Sequence, residues 1–406
     1  MQSIDWLCSA AAVRERCAAL FAAASDDATP HFKLNIERLD ACVDRVIRVT
    51  RENYPDLAIP YHSRWRHFSV DGVDHWRELR RSNPHLTGAE LARTGIDLVL
   101  VSVLLDAGAG APWRYHSPRT GTAVGRSEGL ALASFDMFEA GVFSADPGVP
   151  LRADAQALQH IDEAALAAGF QATTQNPLPG LAGRVEILRR LGHALQSDPP
   201  DCGADAPRAG HLFDALQAQA EGNRLPAGTI LQELLRRFVS IWPNAQRCEN
   251  TLIGDVGRHP RAGGDGETRG LVPFHKLSQW LAYSLVEPLE WAGIEVSELD
   301  ALTGLAEYRN GGLFIDTGVL TARDPRLLED TLEVYAEAVV EWRALTVALL
   351  DEVARRMREH LQLTARQLPL AKVLQGGTWA TGRRLAQERR RDGGPPIRLA
   401  SDGTVF

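Results

Sequence analysis

The chain has 406 residues, 45% of them apolar and 24% charged, with a formal net charge of -8. This is the composition of a protein with a sizeable core, not of a disordered or fibrous chain. The acidic balance leaves no overall basic face for a nucleic-acid backbone, so a small-molecule partner is expected.

In chain order, Val13, Cys17, Leu20 and Phe21, then Leu39, Val43, Val46 and Ile47, recur at helical spacing and predict a helical lead-in over residues 1–50. Asp5, Arg14 and Arg16 interrupt the first apolar stretch, which argues against a secretory signal. Residues 54–68 break the helical pattern with Pro55 and Pro60. The longest apolar run, residues 98–105, is far short of the roughly 20 residues of a membrane span, so no membrane association is expected. Leu158, Ile161 and Leu166, then Val185, Leu188 and Leu191, mark further helices, with residues 176–180 as a linker and 196–208 as an exposed loop. Residues 230–241 form an amphipathic helix that stops at Trp242-Pro243. Residues 257–270 read as a Gly-rich connector. Residues 324–363 give the longest helical signal, with Asp324 as cap and Pro325 in the first turn, and its apolar middle implies a buried central helix.

No fixed-period repeat and no regular strand and helix alternation is visible. The expected class is mainly α and multi-helical, with a few short strands near residues 312–320 and near the C-terminus. Two regions are expected, 1–195 with an anion-binding loop and 209–406 with the reactive residues, sharing one pocket. The five cysteines, Cys8, Cys17, Cys42, Cys202 and Cys248, are odd in number and form no C-x-x-C pair. They read as reduced thiols of a cytoplasmic protein.

Several polar clusters can carry chemistry. In Tyr61-His62-Ser63-Arg64-Trp65-Arg66-His67-Phe68, extended residues two apart share a face, so Arg64 and Arg66 can converge on one anion; the alternative is a solvated edge of stacked side chains. His62 and His67 lack a third ligand at any standard spacing, so no metal is expected. The glycines after Asp106 allow close backbone approach to a ligand, with Asp106 and Trp113 as a wall, or simply make a tight turn. The missing third glycine argues against a dinucleotide fingerprint, and no cofactor is expected. Gly125-Arg126-Ser127-Glu128-Gly129 matches G-x-S-x-G in letters, but no strand precedes it and no α/β alternation surrounds it. Arg126 and Glu128 read as pocket residues or as an ion pair at a helix start. In the second half, Gly254-Asp255-Val256-Gly257-Arg258-His259, Pro273-Phe274-His275-Lys276-Leu277-Ser278-Gln279-Trp280 and Glu307-Tyr308-Arg309-Asn310 gather acids, bases and amides. If Pro273 opens a helix, His275 and Gln279 share a face at i, i+4. Each of these groups either lines a pocket or satisfies buried caps.

Taken together, YHSRWRHF, SVLLDAGAGAPWRY, GRSEGLALASF, VPFHKLSQWLAYSLVEP, LTGLAEYRNGGLFIDTGVL, VVEWRALTVALLD, GGTWATGRRLA and SDGTVF resemble the uracil catabolism protein 4 family over nearly the whole chain. The chain departs from that pattern at Gly257, where an aromatic residue is expected after Gly-Asp-Val. The resemblance implies a place in a pathway that opens the uracil ring without first reducing it, beside a cyclohydrolase-like enzyme and a uracil phosphoribosyltransferase. Chemical logic then leaves a ribosylurea, as its 5'-phosphate, whose N-glycosidic bond must still be cut.

The order of an amphipathic helix, a Gly-Asp motif, a basic helix with Gln and then Glu-x-Arg is also similar to the queuosine salvage nucleotide N-glycosidases, which implies a fold related to helical DNA glycosylases. On that mapping Asp255 stabilises an oxocarbenium-like transition state or positions water, with Glu307 as second acid or base. Arg64, Arg66 and Lys276 would hold the phosphate and Trp113 or Trp280 would flank the base or urea, with His62, Asp106, Arg126, Glu128, His275, Gln279, Arg309 and Asn310 completing the substrate site. Two other readings stay open: an amidohydrolase using Ser127 or a metal on His62, His67 and His275, and a non-catalytic partner of the pathway enzymes.

Overall fold

The computed structural model describes residues 4–110, 112–198, 206–243 and 245–400. Cys202, most of the expected loop 196–208 and the closing motif at 401–406 lie outside the described residues. The fold is mainly α, and the strands among the described residues are short and paired in two-stranded sheets. Among these residues no helix is long and apolar enough to cross a membrane. The chain divides into two compact bodies, each assembled from segments distant in sequence.

The first body takes the described residues of 1–62, 246–279 and 298–401. Its axis is the helix Glu337–Leu361, buried on every face from Ala338 to Val347 and along one stripe from there to Met357. Against it lies Ala10–Ser25, started by Ser9, whose Oγ accepts the Ala12 N–H at 3.2 Å. Val13, Cys17 and Leu20 from one helix and Val340, Ala344 and Val347 from the other meet Val272 and Phe274 in a single apolar cluster.

The expected long helix over 324–363 is divided. Asp324 does accept the Arg326 N–H, at 3.0 Å, but this starts only the single turn Arg326–Glu329. Residues 331–335 alternate polar and apolar, and Thr331–Glu333 pairs as a strand with Arg398–Ala400 before the buried helix begins. The C-terminal strand is thus present. Residues 312–316, by contrast, belong to the helix Tyr308–Asp316, and the strand starts only at Leu320. Glu307 caps that helix, accepting the N–H groups of Arg309 at 2.7 Å and Asn310 at 2.5 Å.

Pro273 closes a strand, Leu271–Pro273, paired antiparallel with Val256–Arg258. It does not open a helix. His275 follows with φ +48°, and the helix Lys276–Trp291 starts one residue later. The His275 carbonyl accepts the Gln279 N–H at 2.8 Å, so the i, i+4 relation survives as a backbone bond.

The second body takes the described residues of 63–245 and 280–297. Its centre is Gly88–Leu104, whose last turns are buried on every side and flanked by Arg126–Glu139. Asp97, inside that helix, is fully buried; burial pushes its carboxyl up to about 6, while the Arg208 guanidinium at 2.7 Å and the Gly210 N–H at 2.6 Å oppose the rise. The amphipathic helix Ala227–Phe238 passes into a 3-10 turn, Val239–Ile241, and ends before Trp242-Pro243 as its sequence requires. Trp65, Trp76 and Trp291 pack together, with ring centroids 4.7 to 5.3 Å apart.

Candidate functional site

In the first body the Gly-Asp motif sits at a strand-to-strand turn. Gly254 has φ +74°, a conformation that favours glycine, and Asp255 follows. The Asp255 carboxylate receives Arg343 through both terminal nitrogens, at 2.9 Å to Oδ1 and 2.7 Å to Oδ2. The Lys276 N–H reaches Oδ2 at 3.1 Å and the Tyr335 hydroxyl reaches Oδ1 at 3.4 Å. These four donors occupy the acceptor positions a carboxylate offers. Burial works against ionisation, but Arg343, Lys276 and His275 outweigh it and hold the group below the ordinary carboxylate range. Asp255 is thereby a fixed negative charge rather than a free acceptor for water.

Glu307 has the opposite environment. Burial raises its pKa above the usual value, and the N–H groups of Arg309 and Asn310 together with the charges of Lys276 and Arg309 only partly oppose the rise. Lys276 therefore lies within electrostatic reach of Glu307 while its backbone binds Asp255. Asn310 is fully buried; its amide nitrogen donates to the Leu305 carbonyl at 3.3 Å, and its Oδ1 has no hydrogen-bond partner among the described residues.

Other expected site residues of this body have structural partners. Gln279 is fully buried and exchanges two bonds with Thr303, at 2.8 and 3.3 Å. Arg309 donates to the Gly393 carbonyl at 2.8 Å. His275 donates from Nε2 to the Leu7 carbonyl at 2.8 Å. His259 takes the Arg261 N–H on Nδ1 and meets Glu341 through Nε2, each at 3.1 Å. His62 meets the Gln375 side-chain oxygen at 3.0 Å, and burial pushes its pKa down to about 4. Gln375 lies in Leu374–Thr378, a π-turn, a form often found at functional sites. In the same stretch a Cβ on Gly377 would lie 2.4 Å from Thr50 Oγ1, and one on Gly382 would lie 2.2 Å from the Arg309 carbonyl. The glycines of GGTWATG thus permit close helix contact. Gly257 is of the same kind: a Cβ there would lie 2.4 Å from Val340 Cγ2, leaving no room for an aromatic side chain.

In the second body Arg64–Phe68 winds as a 3-10 turn, so Arg64 and Arg66 do not share an extended face. Arg64 is fully buried. Its Nε donates to Ser102 at 2.8 Å, its Nη1 donates to the Ser127 carbonyl at 3.3 Å and lies 3.2 Å from Asp106 Oδ1, and its guanidinium sits 5.7 Å from the Trp280 ring centre. Glu128 also acts on it electrostatically. Arg66 is turned instead to Glu287. The two-arginine anion clamp expected from the sequence is replaced by two separate ion pairs. Trp113 is likewise core rather than wall: it is fully buried and its indole N–H donates to the Phe170 carbonyl at 3.0 Å. Arg126 opens its helix with φ +57°, after a two-residue strand of an antiparallel pair, and Ser127 is the second residue of the helix. Among the described residues no group of three or more His, Cys, Asp or Glu is gathered for a metal ion.

Sequence reasoning passed over Arg343, Tyr335 and Gln375. Arg343 carried the clearest signal, since a cation in the middle of an apolar helix needs a buried counter-charge.

A family model described as "Protein of unknown function (DUF1688)" matches residues 6–406. Protein urg3 of Schizosaccharomyces pombe is 37% identical over 412 residues, covering 100% of this chain and 99% of that protein. Uracil catabolism protein 4 of Lachancea kluyveri is 34% identical over 437 residues, covering 99% of each.

Proposed function

The chain belongs to the uracil catabolism protein 4 family, and from that membership we propose that it acts in uracil breakdown as a hydrolase of the N-glycosidic bond of ribosylurea 5'-phosphate. The observation that carries this reading is the pair of carboxylates beside Lys276, Asp255 held ionised and Glu307 pushed toward its neutral form. Two carboxyl groups driven apart in this way are suited to different roles in one reaction.

Glu307, protonated, gives its proton to the urea nitrogen as the C1'–N bond breaks and the bonding electron pair stays on nitrogen. The fixed charge of Asp255 favours the cationic, oxocarbenium-like sugar that develops. Water adds to C1' and returns a proton to the Glu307 carboxylate. The products are urea and ribose 5-phosphate, and the acid is regenerated.

The test is to incubate the full-length protein with ribosylurea 5'-phosphate and with the free riboside, and to follow both products. Equimolar urea and sugar support the reading; no urea from either substrate overturns it.

A further inference from the structure

The second body contains a polar locus that the reaction above does not use. Arg64 is fully buried, yet among the described residues its Nη2 has no hydrogen-bond partner, and Asp106 Oδ1, 3.2 Å from Nη1, accepts no aligned hydrogen bond. A buried guanidinium nitrogen left unpaired costs more than an unpaired neutral donor. An unused donor therefore stands next to an unused acceptor, and the Trp280 ring lies 5.7 Å from the guanidinium carbon. Ser127 and Glu128, on the same side, are partly exposed.

We infer that this locus binds a planar amide or ureido edge, with the ligand carbonyl accepting from Arg64 Nη2, its N–H donating to Asp106 Oδ1 and its flat face against Trp280. The charges exclude the obvious alternative. Arg64 already faces Asp106 and Glu128, and Arg184 also acts on Asp106, so the two cations are matched by two carboxylates and a phosphate or carboxylate would add an unmatched negative charge. A neutral group with a carbonyl beside an N–H meets both unpaired atoms without adding charge. The choice of a ureido group among amides rests on the proposed reaction.

The test is direct binding to the full-length protein, followed by ligand-detected NMR, with N-methylurea, acetate and inorganic phosphate as probes. N-methylurea is expected to bind at least tenfold more tightly than acetate, with phosphate failing to displace it. Asp106→Ala and Arg64→Lys are each expected to weaken N-methylurea at least tenfold. Acetate binding as tightly as N-methylurea, displacement by phosphate, or an unchanged affinity in Asp106→Ala overturns the assignment. The comparison of probes needs no variant, so misfolding of Arg64→Lys does not blunt it. Ureido binding that depends on Asp106 in a protein that releases no urea leaves the site standing and removes the reaction; turnover without such binding does the reverse. Ribosylurea and free urea as competitors separate substrate from product as the source of the edge.

Discussion

Arg343 holds Asp255 through both terminal nitrogens, at 2.9 and 2.7 Å, with the arginine side chain 1% exposed and the aspartate 13%. Removing the charge of one partner strands the other in the interior. Asp255→Asn is therefore expected to destabilise the protein by about 3–5 kcal/mol near neutral pH. The folded pKa of Asp255 lies below its unfolded value of 3.8. Its stabilisation is thus fully present above about pH 4 and is lost as the pH falls through the lower folded value. Chemical denaturation at pH 7 and pH 3 should show the gap between wild type and variant closing in acid. A variant as stable as wild type at pH 7 would show that the pair contributes nothing.

Glu307 titrates in the other direction. If its neutral form is the proton donor, kcat declines as the pH rises through its elevated pKa. Glu307→Gln should lower kcat by roughly 100- to 10,000-fold and erase that alkaline limb. Folded Asp255→Asn should lose turnover while still binding substrate. A Gln variant that keeps the limb would assign it to another group.

Gly257 and Val340 leave no space for a further carbon. Gly257→Ala is expected to cost about 1–3 kcal/mol through overpacking. Val340→Ala opens the space, so the double variant should be more stable than the sum of the two single changes implies. Thermal melts of the four proteins measure this, and strict additivity would mean that the backbone yields instead.

Trp113→Phe removes the bond to the Phe170 carbonyl and some buried ring, with an expected loss of about 1–3 kcal/mol. Per folded molecule, KM for ribosylurea 5'-phosphate should not change. A raised KM would return Trp113 to the substrate.

The fold class and the amphipathic helices were legible because one-sided burial leaves a periodic trace, as in Ala227–Phe238. The break inside residues 324–363 was also legible in principle, since the alternation in Thr331-Leu332-Glu333-Val334-Tyr335 has period two. The likeness to the nucleotide N-glycosidases brought Asp255, Glu307 and Lys276 together, but the hold on Asp255 could not be read, because Lys276 reaches it through a backbone N–H that carries no sequence identity. The arginine pair misled for a related reason: the extended reading of residues 64–68 sets side-chain direction by spacing, whereas a 3-10 turn sends Arg64 to Asp106 and Arg66 to Glu287.

The π-turn at Leu374–Thr378 amounts to one residue more than an α-helix of the same length would hold. That surplus acts as a phase shift of about 100° for everything beyond it, and it is in this phase that Gly382 meets the Arg309 backbone. Many substitutions outside the glycines can leave such a device intact, but the loss of any single residue from it would rewind the helix and swing the Gly382 face away from the segment that presents Glu307. The length of this stretch, more than its letters, is what the fold has to preserve.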